Sequence, residues 1–478
     1  MEPIADLITD IPRVNGKLPH EEQELRKFFL ATTGDHEGHA QCVLRLYPGK
    51  FRYAETHGWM YYNGRFWQME NASAKVEQAI TDMLIKRREL AAAAERKSLL
   101  NQCWAERRIV TGTKEQLKKC PEIVVSISDF DNDKDSLNCL NGSLDLRTGE
   151  LTPHTPNKLY TYCIPVAYDQ AAKSEDWDTF LVTAMPYSKD VLDFVQLAIG
   201  YSLTGHTSEE IMFYIFGPTR SGKGTFTETI LAMLGHEPIA TEADFTTFTA
   251  RRDGDNQNFD LAPLKPCRLV AASESNRDSQ LNPAKLKQIT GGNRVRCAFK
   301  RKDHFTYRPE FKIWLSSNHP VNVDVEDDAA WGRIRVISFP NSHLGAEDKQ
   351  LKHRLLSVDN MRGVLAWAAE GARRWYQLPD GLKTPREVVA ETQVHREGLD
   401  DIQLFIDDCL YKSDGAFITS AAIYHQYQEW AKDNGFSPKF QRRFSMSLDA
   451  KGYKLDRRFV AGKQQRVILG LGLDASLI

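Results

Sequence analysis

The stretch IMFYIFGPTRSGKGT, residues 211–225, decides the fold of this chain. Its first six residues are all apolar or aromatic, which predicts a buried β-strand. The nine residues that follow form a glycine-rich loop, and residues 226–234 are predicted to form a helix that stops at Gly235. Strand, loop and helix in this order predict the phosphate-binding loop of an α/β nucleotide-binding domain.

This loop is predicted to bind phosphate through two kinds of group. Its glycines let backbone N–H groups turn inward at the start of a helix, and Lys223 would reach the β and γ phosphates of ATP. We therefore predict that ATP is bound by the whole loop, which consists of Gly217, Pro218, Thr219, Arg220, Ser221, Gly222, Lys223, Gly224 and Thr225.

The loop departs from the usual pattern at one position. Ser or Thr normally follows the lysine and places its hydroxyl on Mg²⁺, but here Gly224 follows and Thr225 comes one residue later. Either Thr225 or a water molecule would take that role. The Gly-Lys-Gly-Thr form also occurs in adenylate kinases, so a nucleotide kinase stays open as an alternative.

Two later strands are each predicted to end in a residue that could act on the nucleotide. The apolar run at 268–273 leads to Glu274, which would polarise the attacking water and lie near Mg²⁺. The run at 311–317 leads to Asn318, whose amide could hold that water or the γ-phosphate. The alternative for Asn318 is a turn-forming residue before a His-Pro pair.

Two arginines lie around a further apolar strand, WGRIRVISF at 331–339. Arg333 and Arg335 are interpreted either as surface arginines or as an arginine finger that stabilises the transferring phosphate.

Residues 294–307 are predicted to form a β-hairpin with a basic tip. Apolar and basic residues alternate through its first half, and aromatic residues return in its second half. Such a tip suits contact with nucleic-acid phosphates, and the alternative is a solvated run of charge. The predicted DNA-binding residues of this hairpin are Lys300, Arg301, Lys302 and His304.

The last 80 residues predict a small separate domain. Two helices, at 420–434 and 438–450, precede two strands at 453–460 and 465–471, which is the order of a winged-helix domain. Between residues 439 and 466 there are nine Lys or Arg and only two Asp. This bias predicts duplex DNA binding, with a protein-docking winged helix as the alternative. The residues predicted to contact DNA are Arg442, Arg443, Arg457 and Arg458.

Composition limits the remaining possibilities. A chain of 478 residues is expected to hold two to four domains, and its net charge of −2 means that any DNA site must be a local basic patch. The eight cysteines include no C-x-x-C pair, so neither a zinc site nor a disulfide framework is expected, and a reducing cytoplasm fits. We predict neither a signal peptide nor a membrane span.

The predicted organisation is an α/β multidomain protein, and the alternation of strands and helices over about 205–345 predicts a core with a mostly parallel sheet. The N-terminal region is α+β, with a β-hairpin at 51–67 and a long helical stretch at 73–108. The predicted domains are an α+β domain at 1–170, a helical collar at 171–204, the α/β core at 205–378, a linker at 379–398 and the winged helix at 399–478.

Taken together, the motifs resemble the superfamily 3 AAA+ helicases, and within them the phage and plasmid primase–helicase type related to the poxvirus helicase–primase. Similarity also runs through residues 141–156 and the last 80 residues. The core of the resemblance is carried by GPTRSGKGT (217–225), LVAASESN (269–276), LKQITGGNRVRCAFKRKDHF (286–305), FKIWLSSNHP (311–320) and WGRIRVISF (331–339).

The resemblance implies an AAA+ P-loop ATPase core in a hexameric ring that uses ATP and Mg²⁺ to move on DNA during replication of a phage or mobile element. It implies Asn318 as the sensor asparagine and Arg333 as the finger. It also implies that 294–307 grips single-stranded DNA in the pore of the ring, and that the setting is the cytoplasm of a bacterial host.

Relatives of this type often carry a primase domain upstream. We expect too little chain before the shared region to hold one, so a separate primase or polymerase is an expected partner. Two other functions stay open at this point. One is the nucleotide kinase, and the other is an ATP-switched initiator or regulator that binds DNA without unwinding it.

Overall fold

The computed structural model of the chain describes residues 20–249, 258–273, 280–299, 303–320, 323–436 and 438–473. The N-terminal region combines helices with two small antiparallel sheets, of order β1-β2-β3 and β4-β5-β6. Its elements are α1 His20–Ala31, α2 His36–Leu46, β1 Phe51–Ala54, β2 Gly58–Tyr62, β3 Trp67–Gln68, α3 Ala72–Ala93, α4 Lys97–Gln102, α5 Arg107–Leu117, β4 Ser136–Cys139, β5 Gly142–Asp145 and β6 Leu151–Thr152.

The stretch predicted to be helical over 73–108 is mostly helical, but it is divided into α3, α4 and the start of α5. Helix α3 ends where Glu95 adopts a left-handed conformation, with φ of +53°. The N–H of Arg96 then donates to the carbonyl of Ala91 at 2.8 Å, which closes the helix end. Glycine usually occupies this left-handed position, so the end of the helix has no mark in the sequence.

The central region is built on a five-stranded, all-parallel sheet of order β13-β7-β12-β9-β8. A mixed α/β architecture with a parallel sheet was predicted and is confirmed. The elements of this region are α6 Glu175–Ala184, α7 Lys189–Leu203, β7 Met212–Phe216, α8 Lys223–Leu234, β8 Ala240–Asp244, β9 Leu269–Ser273, α9 Pro283–Thr290, β10 Val295–Ala298, β11 His304–Tyr307, β12 Lys312–Ser317, α10 Asp328–Trp331, β13 Ile334–Ser338, α11 Leu351–Leu355, α12 Val358–Tyr376 and α13 Arg386–Glu397.

Both faces of this sheet are buried. Alternate residues of the central strands point into two hydrophobic clusters, with Phe213 and Trp314 in one and Tyr214 and Ile313 in the other. The rings of Phe213 and Trp314 stack at 4.3 Å between centroids. Burial on both faces is typical of parallel strands and accounts for their continuous apolar sequences.

Helix α13 lies inside the segment 379–398 that the sequence indicates as a linker. It packs beside β13, where the N–H of Val336 donates to Thr392 Oγ1 at 3.1 Å. This helix therefore covers the edge strand of the sheet, and its side chains satisfy an edge N–H group.

Two buried cations lie at the start of central strands, and one of them, Arg268, joins the N-terminal region to the sheet. Arg268, immediately before β9, donates to the carbonyls of Ser136 at 2.7 Å and Leu203 at 2.8 Å, and also to that of Asp133. Lys312, the first residue of β12, donates to the carbonyls of His206 and Glu310. Burial lowers the pKa of Lys312 well below its ordinary value.

The C-terminal region contains the predicted pair of helices and the predicted ribbon. It also has a third strand, β14, which the sequence analysis did not predict, and the antiparallel sheet order is β14-β16-β15. Its elements are α14 Asp401–Cys409, β14 Leu410–Thr419, α15 Ser420–Asp433, α16 Gln441–Ala450, β15 Leu455–Val460 and β16 Lys463–Leu473. In the described ranges no helix is long and apolar enough to cross a membrane.

Candidate functional site

The glycine-rich loop connects the carboxyl end of β7 to the start of α8. Gly222 is left-handed, with φ of +97°, and a Cβ atom there would lie 3.0 Å from Cε2 of Phe180. Both the backbone conformation and the close approach of Phe180 favour glycine at this position. The loop leads directly into the first turn of α8, and the first N–H groups of a helix are suited to binding an anion.

Lys223, the first residue of α8, points back into the loop. Its Nζ donates to the carbonyls of Gly217 at 2.7 Å and Pro218 at 2.8 Å, and lies 3.2 Å from Ser221 Oγ. The residue is only 7% exposed, and burial lowers the pKa of its ammonium group to about 8. A cation is thus held at the helix start with part of its hydration removed.

Asn318 reaches the same point from the neighbouring strand. Lys223 Nζ donates to Asn318 Oδ1 at 2.7 Å. The parallel pairing of β12 with β7 sets Ser317 beside Phe216, so the residues that follow the two strands emerge together. The structure therefore brings together two residues that the sequence analysis placed in the glycine-rich loop and at the end of a later strand.

Glu274, the other predicted strand-end residue, lies outside the described residues. The strand that leads to it is described, and β9 pairs Ser273 with Ser316 of β12. The carboxyl end of β9 is therefore at the same edge of the sheet as the loop.

The two positions after Lys223 differ in their surroundings. Gly224 is exposed, and a Cβ atom built there would meet nothing within 4 Å. Thr225 is partly buried, and its carbonyl accepts a hydrogen bond from Thr229 Oγ1 at 2.8 Å. A hydroxyl side chain would fit at position 224, so lack of space does not explain the glycine there.

A segment after β13 contacts the loop and was not found by sequence reasoning. Ser342 Oγ donates to the carbonyl of Thr219 at 2.8 Å, and the N–H of His343 donates to the carbonyl of Arg220 at 3.0 Å. Arg220 is left-handed, with φ of +62°. Since 342–343 is an ordinary polar stretch, nothing in its sequence marks this contact.

Arg333 immediately precedes β13, so it lies at the amino-terminal end of the parallel strands, opposite to the loop. Its carbonyl accepts from the N–H of Met212, the first residue of β7, at 2.7 Å. The five residues of β7 separate this end of the strands from the loop, which corresponds to a distance of about 16 Å. The guanidinium is held by Glu210 Oε2 at 2.7 Å and by Thr290 Oγ1 at 3.3 Å, so the structure does not place Arg333 at its own loop.

The guanidinium group of Arg335 also forms hydrogen bonds within the chain. Its Nε donates to Thr384 Oγ1 at 2.8 Å, and its Nη1 donates to the carbonyl of Gly332 at 2.8 Å.

The predicted hairpin at 294–307 is present as β10 and β11. The strands are antiparallel, from Val295 opposite Tyr307 to Ala298 opposite His304. His304 is exposed, and Phe299 stacks on Phe305 at 5.7 Å. The tip residues Lys300, Arg301 and Lys302 lie outside the described residues.

The basic residues of the C-terminal region divide into two sets. Arg443 forms an ion pair with Asp324, and Arg458 lies over the ring of Phe417 at 5.2 Å. All four arginines are exposed, but Arg442 and Arg457 form no ion pair within the described residues. Two of the four predicted DNA contacts thus have partners within the chain.

Protein-family models match three separate parts of this chain. Residues 40–186 match a model described as D5 N terminal like, residues 215–333 match a family of unknown function, and residues 397–468 match a model described as Poxvirus D5 protein-like.

Viral proteins are among the relatives of the chain. A protein of Acanthamoeba polyphaga mimivirus named "putative helicase" is 24% identical over 350 residues, which cover 66% of this chain and 35% of that protein. A "putative helicase" of Frog virus 3 (isolate Goorha) is 24% identical over 257 residues, which cover 49% and 25%. The chain therefore spans about a third of the first relative and a quarter of the second.

Solved structures of the C-terminal region of NrS-1 also match. The apo structure has a TM-score of 0.41 and 14% identity, and the match covers 68% of this chain and 88% of that one. The A form of the same region has a TM-score of 0.39 and 13% identity over the same shares.

Proposed function

We propose, on the premise that its partial matches to two D5 family models mark it as a protein of the D5 primase–helicase type, that this chain is an ATP-hydrolysing, ring-forming DNA helicase. The observation that carries the proposal is the meeting of Lys223 and Asn318, whose Nζ and Oδ1 atoms lie 2.7 Å apart. They meet at the carboxyl edge of a parallel sheet, where α/β proteins bind nucleotides. In this proposal residues 205–378 are a superfamily 3 AAA+ core.

The residues of this edge fit a nucleoside triphosphate. Lys223 and the backbone of residues 217–222 would hold its phosphates, because a buried cation at a helix start favours anions. Asn318 would orient the attacking water, and Glu274 would accept a proton from it. Mg²⁺, when bound with the nucleotide, supplies charge neutralisation for phosphoryl transfer, and Thr225 and Glu274 are its proposed ligands.

The position of Arg333 supports a ring. Its guanidinium lies about a strand length from the loop of its own chain, so it cannot act there without a large rearrangement. The loop of a neighbouring subunit is the alternative target. Arg333 would then complete that subunit's site as an arginine finger, which makes each site shared by two chains. A closed ring, most simply a hexamer, repeats this interface.

Two surfaces are proposed to contact DNA. The ribbon β10–β11, with the basic tip at 300–302 and His304, would hold single-stranded DNA in the pore. The C-terminal region from residue 399, assigned here as a winged helix, would bind duplex DNA through Arg442 and Arg457. A separate primase or polymerase would act with this motor during replication of a phage or other mobile element.

The test is to replace Lys223 with alanine and measure both ATP hydrolysis and strand displacement on a forked DNA. Both activities are expected to be lost while the chain still folds, which a cooperative thermal unfolding transition would show. Lys352→Ala is the matched control, because that lysine is exposed and forms only a long ion pair of 3.9 Å with Glu228. ATPase activity close to that of the unmodified chain would contradict the proposal.

Two further assays of the unmodified chain separate the other functions. Phosphorylation of AMP by the unmodified chain would support a nucleotide kinase. Site-specific protection of duplex DNA without strand displacement would support an ATP-switched initiator.

A further inference from the structure

The ribbon formed by β15 and β16 extends from the C-terminal core. The two strands are joined by a two-residue turn at Ala461 and Gly462, both left-handed, with φ of +50° and +77°. Every residue of β15 from 455 to 459 is exposed, whereas β16 enters the core from Val467 onward. The outer part of the ribbon is therefore held by its backbone ladder and packs little against the helices.

One face of this outer part carries a large apolar ring. Phe459 is the last residue but one of β15 and lies opposite Gln464. This phenylalanine is 78% exposed. On the same face, two residues further from the tip, Arg457 lies directly opposite Arg466. Like charges directly opposite on a sheet are unfavourable, and so is an exposed ring.

Neither cost is offset within the described part of the chain. The guanidinium groups of Arg457 and Arg466 form no ion pair there, although Arg458 on the other face is held over Phe417. Between residues 451 and 466 six Lys or Arg accompany one acid, Asp456. A ligand that offers both negative charge and flat apolar faces would offset the two costs together.

We propose that Phe459 stacks on an unpaired base at a duplex end or fork, while Arg457 and Arg466 bind the adjoining phosphates. Nucleic acid has both features, since every base has a flat face and every nucleotide carries a phosphate. Inside an intact duplex both faces of a base are covered by its neighbours, so the ring would distinguish open ends from continuous duplex. This inference rests on the proposed DNA-motor function and adds a specific contact to it.

The test measures binding of the full chain to two DNAs at one salt concentration. One is a fork with single-stranded arms, and the other is a covalently closed duplex circle without ends. Phe459→Ala is expected to weaken fork binding by about tenfold and to leave circle binding unchanged, because only the fork offers an open base. Phe459→Leu should behave like Phe459→Ala, whereas Phe459→Tyr should keep fork binding, because only tyrosine retains a ring that can stack.

The double variant Arg457→Ala/Arg466→Ala should weaken binding to both DNAs. The slope of log affinity against log salt concentration should become smaller in magnitude by about two. Leu344→Ala removes a comparably exposed side chain, 73% exposed, from the central region and is the matched control. Thermal unfolding of each variant shows whether the ribbon stays folded.

Three results would overturn the inference. These are unchanged fork binding by Phe459→Ala, equal losses on the fork and the circle, or full binding by Phe459→Leu, which would indicate an apolar protein contact. If fork-stimulated, Lys223-dependent ATPase persists in these cases, only the stacking contact fails. If the unmodified chain binds neither DNA, the proposed helicase function fails with it.

Discussion

Lys223 Nζ donates to Asn318 Oδ1 at 2.7 Å, which ties the first residue of α8 to the residue after β12. The same ammonium group also donates to two loop carbonyls, so a polar network joins the glycine-rich loop to the neighbouring strand. A change at Asn318 should therefore affect the loop even though 95 residues separate the two positions.

The first prediction concerns Asn318. Asn318→Ala should still bind ATP through the loop but hydrolyse it about 10² to 10³ times more slowly, because one oriented polar group is lost from the reacting phosphate. The measurement is kcat for ATP hydrolysis together with the affinity for a non-hydrolysable analogue. Asn157→Ala, at an exposed asparagine of the N-terminal region, is the control. A kcat within twofold of the unmodified chain would exclude the sensor role.

The second prediction uses the open space at position 224. Thr225→Ala should lower ATPase activity most strongly when Mg²⁺ is limiting, if Thr225 supplies the hydroxyl. Adding Gly224→Ser to that variant should restore activity, because a Cβ atom at 224 meets nothing within 4 Å. Gly224→Ser alone should not lower the unfolding temperature, since serine has a higher helix propensity than glycine. If the double variant stays as inactive as Thr225→Ala, position 224 cannot provide the hydroxyl.

The third prediction concerns pH. Burial lowers the pKa of Lys223 to about 8, so the ammonium is charged below that pH and increasingly neutral above it. A neutral amine attracts phosphate weakly, and kcat/KM for ATP should fall as the pH rises through 8. Lys223→Arg should show no such fall over the same range, because arginine remains charged. A profile for the unmodified chain that is flat to pH 9.5 would show that this lysine does not control binding.

The fourth prediction tests whether sites are shared. Arg333→Ala should bind ATP and assemble, but it should hydrolyse ATP about 10³ times more slowly or worse. Mixing it with Lys223→Ala should restore part of the ATPase activity, because some interfaces then pair an intact loop with an intact arginine. Each variant mixed with itself is the control. If mass measurement shows mixed rings and the mixture stays inactive, Arg333 is not a finger in trans, and Arg335 becomes the next candidate.

The fifth prediction concerns the junction at Arg268. Its side chain is 4% exposed and serves three carbonyls, so Arg268→Ala leaves buried acceptors without donors. The expected loss is about 3 kcal/mol in the free energy of unfolding, measured with urea. Arg147→Ala is the control, because that side chain is 54% exposed and pairs with Asp135 at the surface. Equal midpoints for the two variants would show that the junction contributes little.

Local pattern alone was enough to predict the parallel core and to select Lys223 and Asn318 as candidate residues of one nucleotide site. A continuous apolar run before the glycine-rich loop indicates a strand buried on both faces, and parallel strands bring their carboxyl ends to one edge. The sequence therefore predicts that Lys223 and Asn318 both act on the phosphates of the nucleotide, and that the alternating residues at 294–307 form a hairpin, whereas the hydrogen bond between Lys223 and Asn318 comes from the structure. These features depend on residues close in sequence, or on the direction of strands, which the alternation of strands and helices predicts.

Only the tertiary structure decided which polar groups are already occupied. The pairing of Arg333 with Glu210, the ion pair of Arg443 with Asp324 and the contact of residue 342 with the loop join positions far apart in the chain. The end of α3 depends on the left-handed conformation of Glu95, which glutamate rarely adopts. Such contacts depend on how whole elements pack, because a charged side chain takes whichever partner the packing brings within reach.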